Sequence, residues 1–330
     1  MHRNPRYLRT RIRNTLVWES ATPSYGSPRH LRTGIRNTLV FLAFSFCSLN
    51  AQEQSVISFD IGSFIFTTLS EGQQQGNKGI LIGATEEMQK KTIPGGTFPN
   101  AVNAFLVETG DKTILFDAGF GKLLLNNLQS YKKTPSDIDA VVLTHMHGDH
   151  IGGLLLNNEK SFPNATLYIS QPEHDYWTSD EAMQSVPENN RGSFMSARKV
   201  IEAYKDKLQL FTPGDTDNAH ELFPGIRSIA AYGHTPGHTG YMIESNGSEI
   251  FFCADLVHAM AIQAPFPEVA VTYDIDPVKA VETRQKLFKY LSDNNIRIAG
   301  SHIPFPAIGN LRKNSANGYD FVLTCVCESR

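Results

Sequence analysis

The sequence predicts an α/β protein whose sheet layers are stacked face to face, and three observations lead to this fold class. Short apolar segments with strand character recur along the chain, and two pairs of them flank tight-turn sequences. Segments with helical periodicity lie between the later strands. The hydrophobic fraction of 41% in 330 residues is large enough for a substantial core. Hairpins combined with helix-separated strands are typical of a layered α/β arrangement.

The first 51 residues differ in charge from the rest of the chain. They contain eight arginines and one acidic residue, Glu19, which gives a net charge of +7. Residues 52–330 contain 22 basic and 32 acidic residues, a net charge of −10. An acidic body is a poor electrostatic match for nucleic acid, so we expect no nucleic-acid partner.

Residues 1–51 are predicted to be a leader that contains a secretory signal peptide. Arginines at 29–36 precede the apolar run 39–49 (LVFLAFSFCSL), and Ala51 and a polar segment follow it. This order of charge, apolar run and small residue is typical of a signal peptide, and 11 residues are too few to span a membrane. We therefore expect a periplasmic or secreted protein without a stable membrane anchor. Residues 5–18 closely repeat at 28–41, which suggests a duplicated leader or a misassigned start codon.

Residues 52–330 contain no linker or low-complexity run and are predicted to form one domain. In chain order, strands are predicted at Ala104–Glu108, Thr113–Asp117, Ala140–Leu143, Leu167–Ser170, Tyr241–Glu244, Glu249–Cys253 and Ile296–Gly300. The first two flank Thr109-Gly110-Asp111 and the fifth and sixth flank Asn246-Gly247, so each pair is predicted to form a hairpin.

Two helices are predicted among the later strands. Asp276 is suited to the N-cap and Pro277 to the first helical position of one helix. Its buried face is predicted to hold Val278, Val281, Phe288 and Leu291. Residues 196–207 form the second predicted helix.

The clearest functional signal is Thr144–His150 (THMHGDH), directly after the predicted strand AVVL. It holds three histidines and one aspartate within six residues, although histidine makes up only 11 of 330 residues. Gly148, Gly152 and Gly153 allow the sharp turns by which these side chains can converge. Imidazole nitrogen and carboxylate oxygen suit zinc and similar divalent ions, so the segment predicts a metal site.

Three further ligand candidates follow predicted strands. They are His234 in the segment YGHTPGHT, Asp255 after FFC, and His302 after IRIAGS. Considered singly, each of these three residues is more often a helix-capping or hydrogen-bonded residue than a metal ligand. Together they lie where strands run into loops, which is where sites gather in α/β sheets.

Taken together, these motifs resemble the metallo-β-lactamase-fold hydrolase superfamily. The specific pattern is HxHxDH, then GHTPGH, then an aspartate that closes a strand, then a late Ser-His, and the resemblance covers nearly all of residues 55–323. Residues 255–263 (DLVHAMAIQ) and 301–312 (SHIPFPAIGNLR) resemble the branch that contains methyl parathion hydrolase and related lactonases. The resemblance implies a four-layer αββα sandwich.

The resemblance also implies a set of metal ligands. His145, His147 and His234 would hold one ion, Asp149, His150 and His302 the second, and Asp255 would bridge the two. Asp149 and Asp255 are the catalytic candidates, and His238 and Asp117 are candidates for orienting the ligands. The implied cofactors are two divalent ions, zinc with manganese, iron or cobalt as alternatives, which would share a water and lower its pKa.

The implied activity is hydrolysis of a small ester-like substrate: a lactone, a carboxylic ester or a phosphotriester. Trp177, Phe194 and His258 are candidates for the substrate pocket, with core packing as the alternative for the two aromatic residues. Relatives of this kind often form dimers, so a homodimer is a further expectation. Four cysteines are too few for a disulfide scaffold, and we assign no function to Cys325 and Cys327.

Other functions remain open at this point. A β-lactamase is the first alternative, although β-lactamases with HxHxDH generally lack the aspartate at the position of Asp255. An iron-dependent oxidoreductase on the same fold is the second, and a non-catalytic binding protein is disfavoured because no ligand position is replaced. A glyoxalase-type thioester hydrolase is disfavoured because only 28 residues follow His302. The acidic body disfavours a nuclease.

Overall fold

The computed structural model describes residues 55–324. The predicted leader and the two cysteines Cys325 and Cys327 lie outside the described residues. No helix within residues 55–324 has both the length and the apolar character needed to cross a lipid bilayer.

Most strands of the chain belong to two seven-stranded sheets. In chain order the strands are β1 (Val56–Ile61), β2 (Phe64–Asn77), β3 (Leu81–Ile82), β4 (Thr97–Glu108), β5 (Thr113–Phe116), β6 (Ala140–Val142), β7 (Leu155–Leu156), β8 (Glu159–Lys160), β9 (Thr166–Ser170), β10 (Leu208–Phe211), β11 (His220–Phe223), β12 (Ile226–Ala230), β13 (Thr239–Ser245), β14 (Ser248–Phe252), β15 (Ala270–Val271), β16 (Arg297–Ala299), β17 (Ile308–Lys313) and β18 (Tyr319–Leu323).

The first sheet has the order β1-β2-β4-β5-β6-β9-β10, and the second has the order β11-β12-β13-β14-β16-β17-β18. The first is antiparallel from β1 to β5 and parallel from β5 to β10. In the second, only β14 and β16 run parallel. Two short two-stranded pairs, β3 with β15 and β7 with β8, lie outside these sheets.

The two sheets face each other across the main core. Side chains alternate along β4, so that Phe105 and Val107 join this core while Ala104 and Leu106 point to the other face. Aromatic rings meet between the sheets, with centroids 4.7 Å apart for Phe105 and Phe252. Because both faces of the central strands are buried, β4 to β6 are apolar almost throughout.

The described residues form eight α-helices, several of which cover the outer faces of the sheets. They are α1 (Glu86–Thr92), α2 (Leu124–Ser130), α3 (Gly148–Ile151), α4 (Gln171–Thr178), α5 (Asp180–Ser185), α6 (Arg191–Tyr204), α7 (Met260–Gln263) and α8 (Pro277–Asp293). Apolar residues of α2, α4 and α6 pack on the outer face of the first sheet, and those of α8 pack with the second sheet. This arrangement confirms the predicted α/β sandwich.

The predicted strands and both hairpins are confirmed, with bounds within two residues of the predicted ones except for β4, which begins seven residues earlier, at Thr97. Helix α6 begins at Arg191, five residues before the predicted start, and its last turn continues as a 3-10 turn to Lys207. Helix α8 begins as predicted, because the Asp276 side chain accepts a hydrogen bond from the Lys279 amide at 2.9 Å.

One prediction about α8 is wrong. Val278 is 71% exposed and lies outside the buried face. The buried residues are Ala280, Thr283, Arg284, Leu287, Phe288 and Leu291. These residues recur every three or four positions, and Val278 lies out of phase with them in the first turn.

Candidate metal centre

The predicted ligands meet where loops follow strands of both sheets. Asp117 follows β5, the segment 144–150 follows β6, and the remaining positions follow strands of the second sheet: His234 after β12, Asp255 after β14 and His302 after β16. Each sheet therefore contributes part of the ligand set. The carboxyl ends of parallel strands share one edge, which explains why these loops come together.

Asp117 folds the 144–150 loop back on itself. Its carboxylate accepts hydrogen bonds from the amide and hydroxyl of Thr144, both at 2.8 Å, and from His150 Nδ1 at 2.7 Å. Asp117 has a φ of 58°, a left-handed conformation that is uncommon for residues other than glycine. The orienting role predicted for Asp117 is consistent with these contacts.

Three imidazoles form the first ligand group. His147 Nδ1 lies 3.1 Å from His145 Nε2 and 2.9 Å from His234 Nε2. Nitrogens bound to one tetrahedral zinc at the usual bond length are about 3.3 Å apart. The spacing of these three nitrogens therefore suits a single cation between them.

The second ligand group contains Asp149, His150 and His302. The carboxylate of Asp149 lies 3.8 Å from His150 Nε2 and 3.5 Å from His302 Nε2. Among the seven predicted ligands, only Asp149 and His147 keep part of their surface exposed. The opening to solvent is therefore on the side of these two residues.

Asp255 lies between the two groups. Its Oδ2 is 3.3 Å from His234 Nε2 and 3.1 Å from His302 Nε2, and its Oδ1 is 3.1 Å from His150 Nε2. Neither His150 Nε2 nor Asp255 Oδ1 has a hydrogen-bond partner although both are buried. Buried polar atoms without partners are rare, and a cation between them would satisfy both.

Four of the five ligand imidazoles, those of His145, His150, His234 and His302, have an outer nitrogen against a fixed acceptor, which in the neutral ring leaves the inner nitrogen with a lone pair. His234 Nδ1 donates to Asp274 at 2.9 Å, and His302 Nδ1 donates to the Ala101 carbonyl at 2.9 Å. His150 donates to Asp117 in the same way, and His145 Nδ1 lies 3.0 Å from the Thr144 hydroxyl. Inward lone pairs are what metal binding requires, so the residues present fit divalent cations.

The charge balance of the buried groups also fits cations. Asp117, Glu173, Asp255 and Asp274 are buried carboxylates, whereas Arg284 is the one buried lysine or arginine within residues 55–324. With the part-buried Asp149, five carboxylates face one arginine, which is an excess of four negative charges when all five are ionised. Uncompensated buried charge is costly, and two divalent ions would neutralise this excess.

The pKa values of the imidazoles fall into two classes. Burial lowers the pKa of His145 and His147 well below the ordinary value. Burial also acts on His234, but hydrogen bonds to Asp255 and Asp274 outweigh it and raise its pKa to about 9. The neighbouring carboxylates likewise hold the pKa of His150 well above the ordinary value against burial. In the absence of a metal, the carboxylates of the centre therefore favour the charged form of these two imidazoles.

His238 supports Asp255 from behind. Its Nδ1 donates to the Ala231 carbonyl at 2.8 Å, and its Nε2 accepts from the Asp255 amide at 3.3 Å. Burial lowers the pKa of His238 to about 3, so the ring is neutral and can accept this bond. Its contacts therefore suit the orienting role predicted for it.

The three pocket candidates occupy different positions. Trp177 is buried, and its ring lies edge-on to His147 with centroids 5.7 Å apart. Phe194 is buried against Trp177 in the hydrophobic core, so core packing rather than a pocket accounts for it. His258 lies inside the centre, with Nε2 3.0 Å from Asp255 Oδ2 and its ring stacked on His302.

Sequence reasoning missed two carboxylates of the centre. Asp274 holds His234 but is 40 positions away in the sequence. Glu173 accepts four hydrogen bonds, including one from the Met146 amide at 2.8 Å. The only sequence signal was its place just after β9, a strand that ends at the same edge as β6.

A family model described as the metallo-beta-lactamase superfamily matches residues 97–302. The chain belongs to this superfamily. The matched range contains all seven predicted ligands, so the resemblance proposed from the motifs is confirmed.

Two solved structures are similar to this superfamily member over nearly their whole length. One is the hydrolase AbOPH, with 29% identity, a TM-score of 0.77, and coverage of 84% of this chain and 100% of that one. The other is AidC, a dizinc quorum-quenching lactonase in complex with a product, with 27% identity, a TM-score of 0.73, and coverage of 83% and 99%. With the family, these hydrolase neighbours identify the chain as a hydrolase of the metallo-beta-lactamase superfamily.

Curated relatives match shorter stretches. The anti-Pycsar protein Apyc1 of Paenibacillus sp. (strain J14) is 30% identical over 165 residues, 49% of this chain and 64% of that protein. An N-acyl homoserine lactonase of Bacillus sp is 25% identical over 183 residues, 47% of this chain and 63% of that protein. The chain thus spans less than two thirds of the length of these two relatives.

Proposed function

We propose that this chain is an exported, dinuclear metal-dependent hydrolase that cleaves a small ester-like substrate: a lactone, a carboxylic ester or a phosphotriester. The observation that carries the proposal is the position of Asp255, whose carboxylate oxygens face both ligand groups. A carboxylate shared in this way is what a two-metal hydrolytic centre needs. The similarity to AidC, a dizinc quorum-quenching lactonase, supports a lactone among these substrates.

Each residue of the proposed centre has a definite role. His145, His147 and His234 would hold one ion, Asp149, His150 and His302 the other, and Asp255 both. Divalent ions bound there would supply a Lewis acid for the scissile carbonyl or phosphoryl oxygen and a water of lowered pKa. Zinc is the proposed metal, with manganese, iron and cobalt compatible with the same donor atoms.

Asp149 has a further role in this proposal. Its side chain is 23% exposed, whereas Asp255 is 2% exposed. It is therefore the carboxylate of the centre that a bound ester can approach most closely. In the proposed reaction Asp149 would accept the proton that the attacking water loses and return it to the leaving oxygen as the ester bond breaks.

The test is metal quantification combined with a substrate panel. We expect the purified protein to hold two divalent ions and to hydrolyse lactones or aryl esters in a chelator-sensitive way. Asp255→Asn is expected to lower kcat/KM by at least about 100-fold, because it removes the shared ligand. Asp60→Asn, a change at an exposed carboxylate in β1, is the matched control and should keep full activity.

Other outcomes of the same panel would contradict the proposal. A pure, metal-loaded protein with no turnover of any lactone, carboxylic ester or phosphotriester would remove it. Faster turnover of nitrocefin than of every ester would favour a β-lactamase. Stoichiometric iron with oxygen uptake would favour an oxidoreductase.

Export is the second part of the proposal and rests on the sequence pattern of residues 29–51. We propose that the signal peptide directs the protein to the periplasm or the medium and is then removed. N-terminal sequencing of the exported protein should begin near residue 52. Detection of residues 1–40 in that protein would contradict the proposal.

A further inference from the structure

Glu173 joins the two loops that carry the first ligand group. It is 1% exposed and lies in the first turn of α4. Its Oε1 accepts from the Met146 amide at 2.8 Å and from the Trp177 indole nitrogen at 2.6 Å. Its Oε2 accepts from the Thr235 hydroxyl at 2.5 Å and from the Gly237 amide at 3.0 Å.

These four donors are closely connected to the three imidazoles. Met146 lies between His145 and His147 in the chain, and Thr235 follows His234 directly. The Trp177 ring, whose indole N–H is one of the four donors, contacts His147 edge-on. Glu173 is therefore bonded to residues that lie next to all three imidazoles, and no hydrogen bond joins it to the ligands themselves.

The approach of the two loops to Glu173 is very close. A Cβ atom at Gly237 would lie 2.1 Å from the Glu173 amide nitrogen, so any side chain at 237 would push the His234 loop away. Oε1 accepts from the loop of His145 and His147 and from the Trp177 indole, whereas Oε2 accepts both of its bonds from the His234 loop. The spacing of the three imidazoles thus depends on one buried carboxylate.

We propose that Glu173 is a positioning residue that sets the metal affinity of the His145–His147–His234 group selectively. The inference rests on the proposed two-ion centre. The second group has supports of its own, since Asn103 Nδ2 donates to the carbonyls of Ser301 and Ile303, which flank His302. A substitution of Glu173 should therefore weaken the binding of the first ion and leave the binding of the second ion unchanged.

The test uses Glu173→Gln in the otherwise unchanged chain. A glutamine side chain replaces one acceptor oxygen by an NH₂ group, which cannot accept from two of the four donors. Zinc affinity is measured by competition with a chelator, and Co²⁺ absorption spectra report each group, with His147→Asn and Asp149→Asn as spectral references. We expect the dissociation constant of the first ion to rise about 10- to 100-fold and that of the second to change less than about 3-fold.

Two variants separate this role from a general loss of stability. Leu291→Ala, a core change in α8, lowers thermal stability and should leave both dissociation constants unchanged. Asn103→Ala should instead weaken the binding of the second ion and leave the binding of the first ion unchanged. If Glu173→Gln does not fold, Thr235→Val, which removes a single donor, takes its place with a smaller expected effect.

The proposal is overturned if Glu173→Gln, or Thr235→Val in its place, leaves the first dissociation constant unchanged, or weakens both ions equally. It is also overturned if Leu291→Ala, at a thermal stability equal to that of Glu173→Gln, raises the dissociation constant of the first ion by the same factor. Because the affinities are measured without any ester, a failure of ester hydrolysis would remove the proposed reaction and leave this test intact.

Discussion

Several ligands of the proposed centre are each paired with a hydrogen-bond acceptor that fixes the orientation of the ligand side chain. For His150, His234 and His302 the inner nitrogen is directed at the cation site because the outer nitrogen is held by Asp117, Asp274 and the Ala101 carbonyl, respectively. Fixing the tautomer and the ring orientation in advance lowers the entropic cost of binding. The contribution of the supporting residues should therefore be visible in metal affinity.

Asp274 provides the first prediction at this scale. Asp274→Ala removes the acceptor of His234 Nδ1 and should weaken metal binding and lower kcat/KM by about 10- to 100-fold. Asp274→Asn keeps an acceptor without the charge and should have a smaller effect. Chelator competition and steady-state kinetics measure both quantities.

The control for Asp274 lies two residues away. Asp276→Asn keeps an equally good N-cap for α8 and should leave metal affinity and stability unchanged. If Asp274→Ala and Asp276→Asn had the same metal affinity, the hydrogen bond between His234 and Asp274 would make no contribution to metal binding.

The sequence indicated the ligands much better than their supports. HxHxDH and GHTPGH concentrate histidines in a way that composition does not explain, so the motifs were visible. Ala101 acts through a backbone carbonyl 201 positions from His302, and Asp274 lies far from His234 in the chain. Only the fold brings such pairs together. A single acidic residue or backbone carbonyl forms no motif by which it could be recognised in the sequence.

At the scale of secondary structure, α8 shows how a helix face is chosen. Its sequence offers apolar residues at 278 and 281, yet the face toward the second sheet is defined by Ala280, Leu287 and Leu291. The same face carries the buried Arg284, which donates to the carbonyls of Leu256 and Val269. Burial follows the position of the helix on the sheet, and a valine at the first turn can remain in solvent.

Substitutions on α8 test this assignment. Val278→Ala should change the free energy of unfolding by less than about 0.5 kcal/mol, because the side chain is exposed and alanine favours helix. Leu287→Ala should cost about 2–5 kcal/mol, because it leaves a cavity in the core. Urea unfolding of the two variants measures the difference, and equal costs would contradict the observed burial.

Central strands were predicted well, and most strands at or next to a sheet edge were not, for a physical reason. Strands such as β4 and β6 are buried on both faces and appear in the sequence as apolar runs. Strand β2 instead ends in the polar segment EGQQQGN, and β1, β17 and β18 mix polar and apolar residues. Their pairing depends on neighbours distant in sequence, which local patterns do not reveal.

For the whole molecule, the centre is a concentration of negative charge within an apolar interior. Binding of cations that the unfolded chain does not hold stabilises the fold by about 3–4 kcal/mol per ion at 100 to 1,000 times the dissociation constant. Removing both ions with a chelator should lower Tm by about 10–20 °C. Differential scanning calorimetry before and after chelation, with zinc re-addition as the control, measures the change.

The chelated protein should also show a particular pH dependence. The pKa of His234 is raised to about 9 from 6.5, and those of His150 and His302 are raised as well. A raised folded-state pKa gives stability that is complete below the unfolded value and is lost as pH rises through the folded value. Stability of the chelated protein should therefore fall between about pH 6.5 and about 9.

The metal-loaded protein should lack this decline, because imidazoles that bind a metal carry no proton on the binding nitrogen. Thermal unfolding of both forms across the interval provides the comparison. Parallel pH profiles for the two forms would show that the raised imidazole pKa values do not govern stability.

The division of ligands between the sheets has a consequence for how the protein matures. The loop after β6 supplies four of the seven predicted positions, and the loops of the second sheet supply His234, Asp255 and His302. Neither half of the chain contains a complete group of either kind. In the proposed two-ion centre each ion would bind residues from both halves of the chain, so tight metal binding would require both halves to have folded.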